Sequence, residues 1–221
     1  MSETATFPYT IRRVPSPTQE EIAAIVDVVV EAWRTAPATI IAYGEHIDTI
    51  VRPRAEMGIN AVLNTGQVFV CEDPKANRIV GVTAWVPPGR DLYDEPAEGV
   101  AIWNTLSALL PEKERQVVAK AGERMNTFTE QALGPSTKHD EWYLFLVGVH
   151  SSYAGQRIAS TMIAEQLKQT DPYSVALECN ENRVKLYERL GWEVKGREAI
   201  AGLGGELSFC AMLRPPTSGR K

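Results

Sequence analysis

Apolar residues recur at helical spacing in the first quarter of the chain. Ile22, Ile25, Val26, Val29, Val30 and Trp33 fall at i, i+3, i+4, i+7, i+8 and i+11 and predict an amphipathic helix. Thr18-Gln19-Glu20-Glu21 opens it as a capping box, with Glu21 expected to reach back to the first turn. A short strand, Tyr9 to Val14, precedes it and ends at Pro15 and Pro17. From Pro37 to Leu63 the pattern is helical but mixed (Ile40, Ile41, Ile47, Ile50, Val51), with a break expected near Pro53.

The period then changes. Gln67–Glu72 alternates and Arg78–Val86 is apolar, which predicts a hairpin across residues 73–77. Residues 90–139 interrupt the sheet pattern with two helical stripes. One is Ile102, Trp103, Leu106, Leu109, Leu110; the other is Val117, Val118, Ala121, Met125, Phe128. Leu144 to Val149 reads as a buried strand, followed by a turn of small and polar residues and a helix carrying Ala159, Met162, Ile163 and Leu167. A strand from Ser174 ends at Glu178, Cys179 and Asn180. Val184, Tyr187 and Leu190 then mark a helix that stops at Gly191. Glu193–Glu198 and Glu206–Leu213 form a last pair of strands. Their connection, Ala201 to Gly205, reads as a flexible hairpin loop rather than a phosphate cradle, because no helix follows it.

Two stretches of this pattern carry chemistry. Ala154-Gly155-Gln156-Arg157-Ile158-Ala159 lies between a buried strand and a helix, where bare N–H groups and the helix dipole attract anions. Asn180, Tyr187 and Gly191-Trp192 follow at fixed spacing. In these segments the chain resembles the GNAT superfamily of acyl-CoA-dependent acetyltransferases. The second segment matches the family pattern in full. In the first, Ala154 stands where Gln or Arg is usual and Arg157 where a glycine is usual.

The resemblance implies an α/β (α+β) GNAT fold: a central, mixed and largely antiparallel sheet flanked by helices, with the 90–139 helices inserted before the central strand. It implies one domain over 1–214, leaving 215–221 as a disordered tail, and makes the first helix pair a wall of the acceptor pocket. The implied cosubstrate is acetyl-CoA. Its pantetheine arm would lie on the backbone of Leu146, Val147, Gly148 and Val149 and against Asn180. Its phosphates would lie on Ala154, Gly155, Gln156, Arg157, Ile158, Ala159 and Ser160, with Asn182 and Tyr187 completing the coenzyme site. Tyr187 is the expected proton donor to the departing thiolate, since a phenol is protonated at neutral pH. Glu178 and Glu141 are the candidate bases; His150 and a water chain are alternatives. Cys179 has no histidine nearby in sequence, which points away from a covalent acetyl-enzyme.

Composition narrows the partners. A net charge of −5 argues against a nucleic-acid binder. It is compatible with cationic acceptors such as polyamines, aminoglycosides or amino sugars. Three scattered cysteines fit neither a disulfide framework nor a zinc site, so no metal is expected. No apolar run has membrane-spanning length, and residues 1–7 do not read as a signal peptide. The expectation is a cytoplasmic monomer or homodimer that acetylates a small primary amine in a ternary complex. The alternatives are a non-catalytic coenzyme A or metabolite binder and a protein-modifying acetyltransferase.

Overall fold

The computed structural model describes residues 7–93 and 95–218. Seven strands form one sheet in the order β1-β2-β3-β4-β5-β7-β6. They are β1 (Thr10–Arg13), β2 (Gln67–Asp73), β3 (Arg78–Val86), β4 (Trp142–Val149), β5 (Val175–Asn180), β6 (Glu193–Gly202) and β7 (Gly205–Arg214). Every neighbouring pair is antiparallel except β4 and β5. Among the described residues eight α-helices accompany the sheet: α1 (Gln19–Arg34), α2 (Pro37–Tyr43), α3 (Ile47–Thr65), α4 (Pro96–Ser107), α5 (Glu112–Leu133), α6 (Thr137–Asp140), α7 (Ile158–Leu167) and α8 (Val184–Glu188). The mixed α/β architecture expected from the sequence is therefore present.

The two faces of the sheet carry separate cores. On one, Ile25, Val26 and Val29 of α1 and Ala55, Ile59 and Val62 of α3 pack on Val70, Val82, Ala84 and Leu146. On the other, Ile158, Met162 and Ile163 of α7 and Val184 and Tyr187 of α8 pack on Val80, Leu144, Leu177 and Met212. The helical stripes are thus the faces that exclude water, which is the main force holding them to the sheet.

Several local expectations are corrected. Thr18 does cap α1, its hydroxyl accepting from the Glu21 N–H at 3.2 Å. The Glu21 carboxylate does not reach back; it pairs with Arg12 on β1, a charged partner that outcompetes a backbone amide. Pro53 does not break its helix, because Val51, Ala55, Ile59 and Val62 are fully buried around it. The break comes at Gly44, whose φ of +54° suits glycine. Leu109 and Val117 are exposed; the buried side of the 90–139 excursion is Leu106, Leu110, Val118 and Phe128.

The β6–β7 connection is a tight turn at Leu203-Gly204. Gly204 donates to Ile41 O at 2.9 Å, and a Cβ on Gly202 would sit 2.2 Å from that same oxygen. The glycines let two backbones touch. Of the expected tail, Thr217 N donates to Asp171 at 2.8 Å, and residues 219–221 lie outside the described residues.

Candidate active site

Three features of the middle of the sheet build the site. The first is a split. β4 and β5 pair only at Trp142↔Val175 and Tyr143↔Ala176, after which β5 continues with β7 alone. The edge of β4 from Leu144 to Val149 that faces β5 therefore has no strand partner, and backbone groups that need partners line a cleft. Leu146, Val147, Gly148 and Val149 all lie on this lip. Gly148 brings it close to α1: a Cβ there would sit 3.6 Å from Ala32.

The second is a bulge. Against β3, Ala84 pairs with Leu146 and Trp85 with Leu144, which leaves Phe145 as an extra residue. A bulge re-aims a side chain. Here it sends Phe145 to the α1–α3 side along with Leu146, and its ring lies 3.1 Å from where a Cβ on Gly58 of α3 would be.

The third is the loop after β4. Gly155 and Arg157 both have positive φ, +78° and +61°, and curl the chain into the mouth of α7, the kind of backbone concavity that gathers N–H groups around an anion. No acceptor among the described residues takes the N–H groups of Gly155 or of Arg157, Ile158, Ala159 and Ser160. The amides nearer β4 are occupied: Ser151 N donates to Glu31 at 2.8 Å and Ser152 N to His150 Nδ1 at 3.3 Å. The Gln156 side chain accepts from Tyr9. Arg157 and Ala154 are exposed. Arg157 holds a left-handed conformation that a glycine would adopt without strain, which accounts physically for the glycine usual at that position.

At the end of β5, Asn180 is 8% exposed, and its side chain caps nothing. Its Oδ1 is buried without a hydrogen-bond partner among the described residues, an arrangement that costs free energy unless a ligand completes it. Asn182 is exposed on the following turn. Tyr187 of α8 is buried with its ring edge-on to Trp192, centroids 5.7 Å apart. Burial raises its phenol pKa and nearby Cys179 adds to this, so the phenol keeps its proton. Cys179 itself is buried, and its thiol is pushed up to about 12 by burial, which leaves almost no thiolate to act as a nucleophile.

The two candidate bases are separated. Glu141 lies at the closed end of the split, where its carboxylate accepts from the Ser174 N–H at 2.7 Å; it does not line the cavity described below. Glu178 does line it. Its Oε1 accepts from Lys138 Nζ at 2.5 Å and Thr129 Oγ1 at 2.7 Å, and its Oε2 from Tyr143 OH at 2.7 Å. Burial works to raise its pKa, but Lys138 and the two hydroxyls outweigh burial and lower it. A carboxylate with a lowered pKa and three donors is a fixed negative charge and a weak base. His150 sits on the α1 side at a different opening, a polar groove shared with Glu31 and Arg78.

The cavity, of about 610 Å³, lies between α2, α3, the helices of the excursion and the β6–β7 turn. Trp33, Tyr43, Tyr93, Trp103, Phe145 and Phe209 contribute aromatic surface. Arg54 places its guanidinium 4.7 Å from the Trp33 ring centroid and 5.7 Å from that of Tyr43. Sequence reasoning missed Arg54, Phe145, Lys138 and Thr129, because none belongs to a motif and the bulge has no signature in the apolar run 144–149.

Comparison with known proteins bears on this geometry. The chain is similar, at 22% identity and a TM-score of 0.64, to a histone acetyltransferase HPA2 and related acetyltransferase of Corynebacterium glutamicum, over 97% of this chain and 99% of that one. It is similar at 14% identity and a TM-score of 0.60 to a mosquito arylalkylamine N-acetyltransferase like 5b (93% and 99% covered), and at 13% and 0.53 to a GCN5-related N-acetyltransferase of Rhodopseudomonas palustris (93% and 94%). At these identities the likeness shows the fold. A search of curated proteins found no match. The model of the acetyltransferase (GNAT) family matches residues 65–192, more than half of the chain, from the end of α3 to the tryptophan just after α8: the chain belongs to the GNAT acetyltransferase family.

Proposed function

We propose that the protein transfers an acetyl group from acetyl-CoA to a primary amine of a small molecule, by direct attack within a ternary complex. The observation that carries this reading is the split between β4 and β5. It opens on one side towards the unpaired amides of the α7 mouth and on the other towards the cavity. Buried Asn180 Oδ1, without a partner, fits an amide donor of the pantetheine arm, and the β4 lip fits the remaining amides of that arm. The N–H groups of Gly155 and of Arg157 to Ser160 fit the diphosphate. Asn182 and the Arg157 side chain lie at the solvent edge of that site.

The amine nitrogen attacks the thioester carbonyl carbon, the carbon–sulfur bond breaks, the Tyr187 phenol gives its proton to the departing sulfur, and the phenolate takes up the equivalent of the proton that the ammonium loses. The raised pKa keeps the Tyr187 phenol protonated at neutral pH, so it meets the departing sulfur as a hydrogen-bond donor and the transfer completes only as negative charge builds on sulfur. Glu178, held ionised by Lys138, shapes the field of the cavity, and the ammonium proton leaves through cavity water.

Thiol release with acetyl-CoA and a panel of amines, for the parent and Tyr187→Phe, tests the reading. Loss of the hydroxyl lowers kcat by about a hundredfold or more, with KM for acetyl-CoA and the melting temperature unchanged. A variant within about threefold of the parent removes Tyr187 from the chemistry. An absence of thiol release with every amine, or of a melting shift of about 5–10 °C at saturating acetyl-CoA, overturns the reading as a whole.

A further inference from the structure

The charges inside the cavity differ from those of the whole chain. Although the protein is acidic overall, the charged side chains that line the cavity, among the described residues, are Arg54 and Glu178. Glu178 is already neutralised by Lys138 and satisfied by Thr129 and Tyr143. It offers no free anion to a polycationic acceptor, and the polyamine or aminoglycoside class suggested by overall charge does not suit the cavity. Arg54 is in the opposite situation. Its guanidinium contacts the Trp33 and Tyr43 rings, and no carboxylate among the described residues pairs with it. It lies near enough to Tyr93 and Tyr143 to offset a small part of the burial that raises the pKa of both.

An arginine held over aromatic faces is fixed in orientation, and its fork of N–H groups matches a carboxylate in two parallel bonds. Apart from Thr39 and Asn126, the remaining walls are mainly apolar and aromatic, with Met57, Met125, Trp103, Phe145 and Phe209 supplying bulk. We infer that the acceptor is an amine that also bears a carboxylate and a bulky apolar or aromatic group, an apolar α-amino acid in chemical class, with Arg54 as the residue that binds the carboxylate. The inference rests on the acetyl-transfer reading for the fate of the amine, but not for the binding of the ligand.

Matched pairs separate the two. Phenylalanine, tryptophan and methionine are compared with phenethylamine, tryptamine and 3-(methylthio)propylamine, which lack only the carboxylate. Binding is read by the fluorescence of the cavity tryptophans and by calorimetry, and turnover by thiol release. The expected result is a preference of about tenfold or more for at least one amino acid over its decarboxylated partner, in binding and in kcat/KM. Arg54→Met abolishes that preference, because the carboxylate contact is lost for the amino acid and absent for the plain amine. Arg54→Lys keeps the charge without the fork and retains an intermediate preference. Arg54-dependent binding of an amino acid without thiol release sustains this inference and overturns the acetyl-transfer reading. Equal or tighter binding of the plain amines by the parent protein, or no binding of any of the three amino acids, overturns the inference; neither comparison depends on a variant folding.

Discussion

Replacing Lys138 by methionine isolates the electrostatics of Glu178. The parent carboxylate is 10% exposed and meets Lys138 at 2.5 Å, while the lysine side chain is 34% exposed. Breaking a fully buried ion pair costs about 3–5 kcal/mol. Here solvent screens the lysine end, and Thr129 and Tyr143 still donate to the carboxylate, so the expected loss is about 1–3 kcal/mol at neutral pH. For a chain of this length that is a fall of about 2–12 °C in melting temperature.

The sign of the pH dependence follows from burial. In the parent protein Glu178 titrates below its ordinary value of 4.5, so its stabilising contribution is present above that value and is lost as pH falls through the lowered one. In the variant only the Thr129 and Tyr143 hydroxyls oppose burial, so the carboxyl titrates higher than in the parent and its ionised form is held less favourably by the fold. The difference between the two proteins is therefore small in acid, grows as pH rises from the parent's lowered pKa to the variant's higher one, and is full at neutrality. Thermal melts at about pH 4 and about pH 7 read it directly. Adding Glu178→Gln to the variant recovers most of the loss, because an amide needs no cation. A loss below about 0.5 kcal/mol at neutral pH, or one that does not change with pH, refutes the reasoning.

Two further predictions concern the backbone. Arg157→Gly relieves a left-handed residue at the mouth of α7 and raises stability by about 1 kcal/mol, a gain of about 2–4 °C in melting temperature, with acetyl-CoA affinity within about threefold because the amides remain; a destabilised variant, or one that no longer binds acetyl-CoA, counts against the amide-based site. Gly202→Ala puts a Cβ 2.2 Å from Ile41 O, which forces the β6–β7 turn off α2; chemical denaturation should show a loss of about 2 kcal/mol or more, and an unchanged midpoint would mean that the turn moves freely.

The helical stripes, the 67–86 hairpin and the order of elements from Leu144 to Trp192 were legible because burial imposes a period on the sequence. So was the GNAT resemblance, which rests on Gly155, Asn180, Tyr187 and Gly191. What escaped was set by contacts between segments distant in the chain. Pro53 looks like a helix end until Ala55 and Ile59 are seen fully buried. Phe145 looks like one of six equivalent strand residues, yet the bulge makes it a wall of the cavity. Glu178 and Glu141 are equally acidic in sequence, but one faces the cavity and the other ties the closed end of the split. Arg54 is a polar residue on a helix until Trp33 and Tyr43, from two other helices, are found beneath it.

The excursion between β3 and β4 begins and ends at one place, where Gly89 N donates to His139 O at 2.6 Å, so it has the outline of a detachable module. Its chemistry makes it inseparable. Thr129 on α5 and Lys138 on α6 are two of the three partners of a carboxylate that belongs to the central sheet. A graft that exchanges this segment for another, to alter the shape of the cavity, also exchanges the counter-ion of Glu178. The shape of the cavity and the electrostatics of its floor are therefore inherited together. A redesigned excursion that fills the space but omits a cation near Lys138 would deliver a new shape over an uncompensated charge.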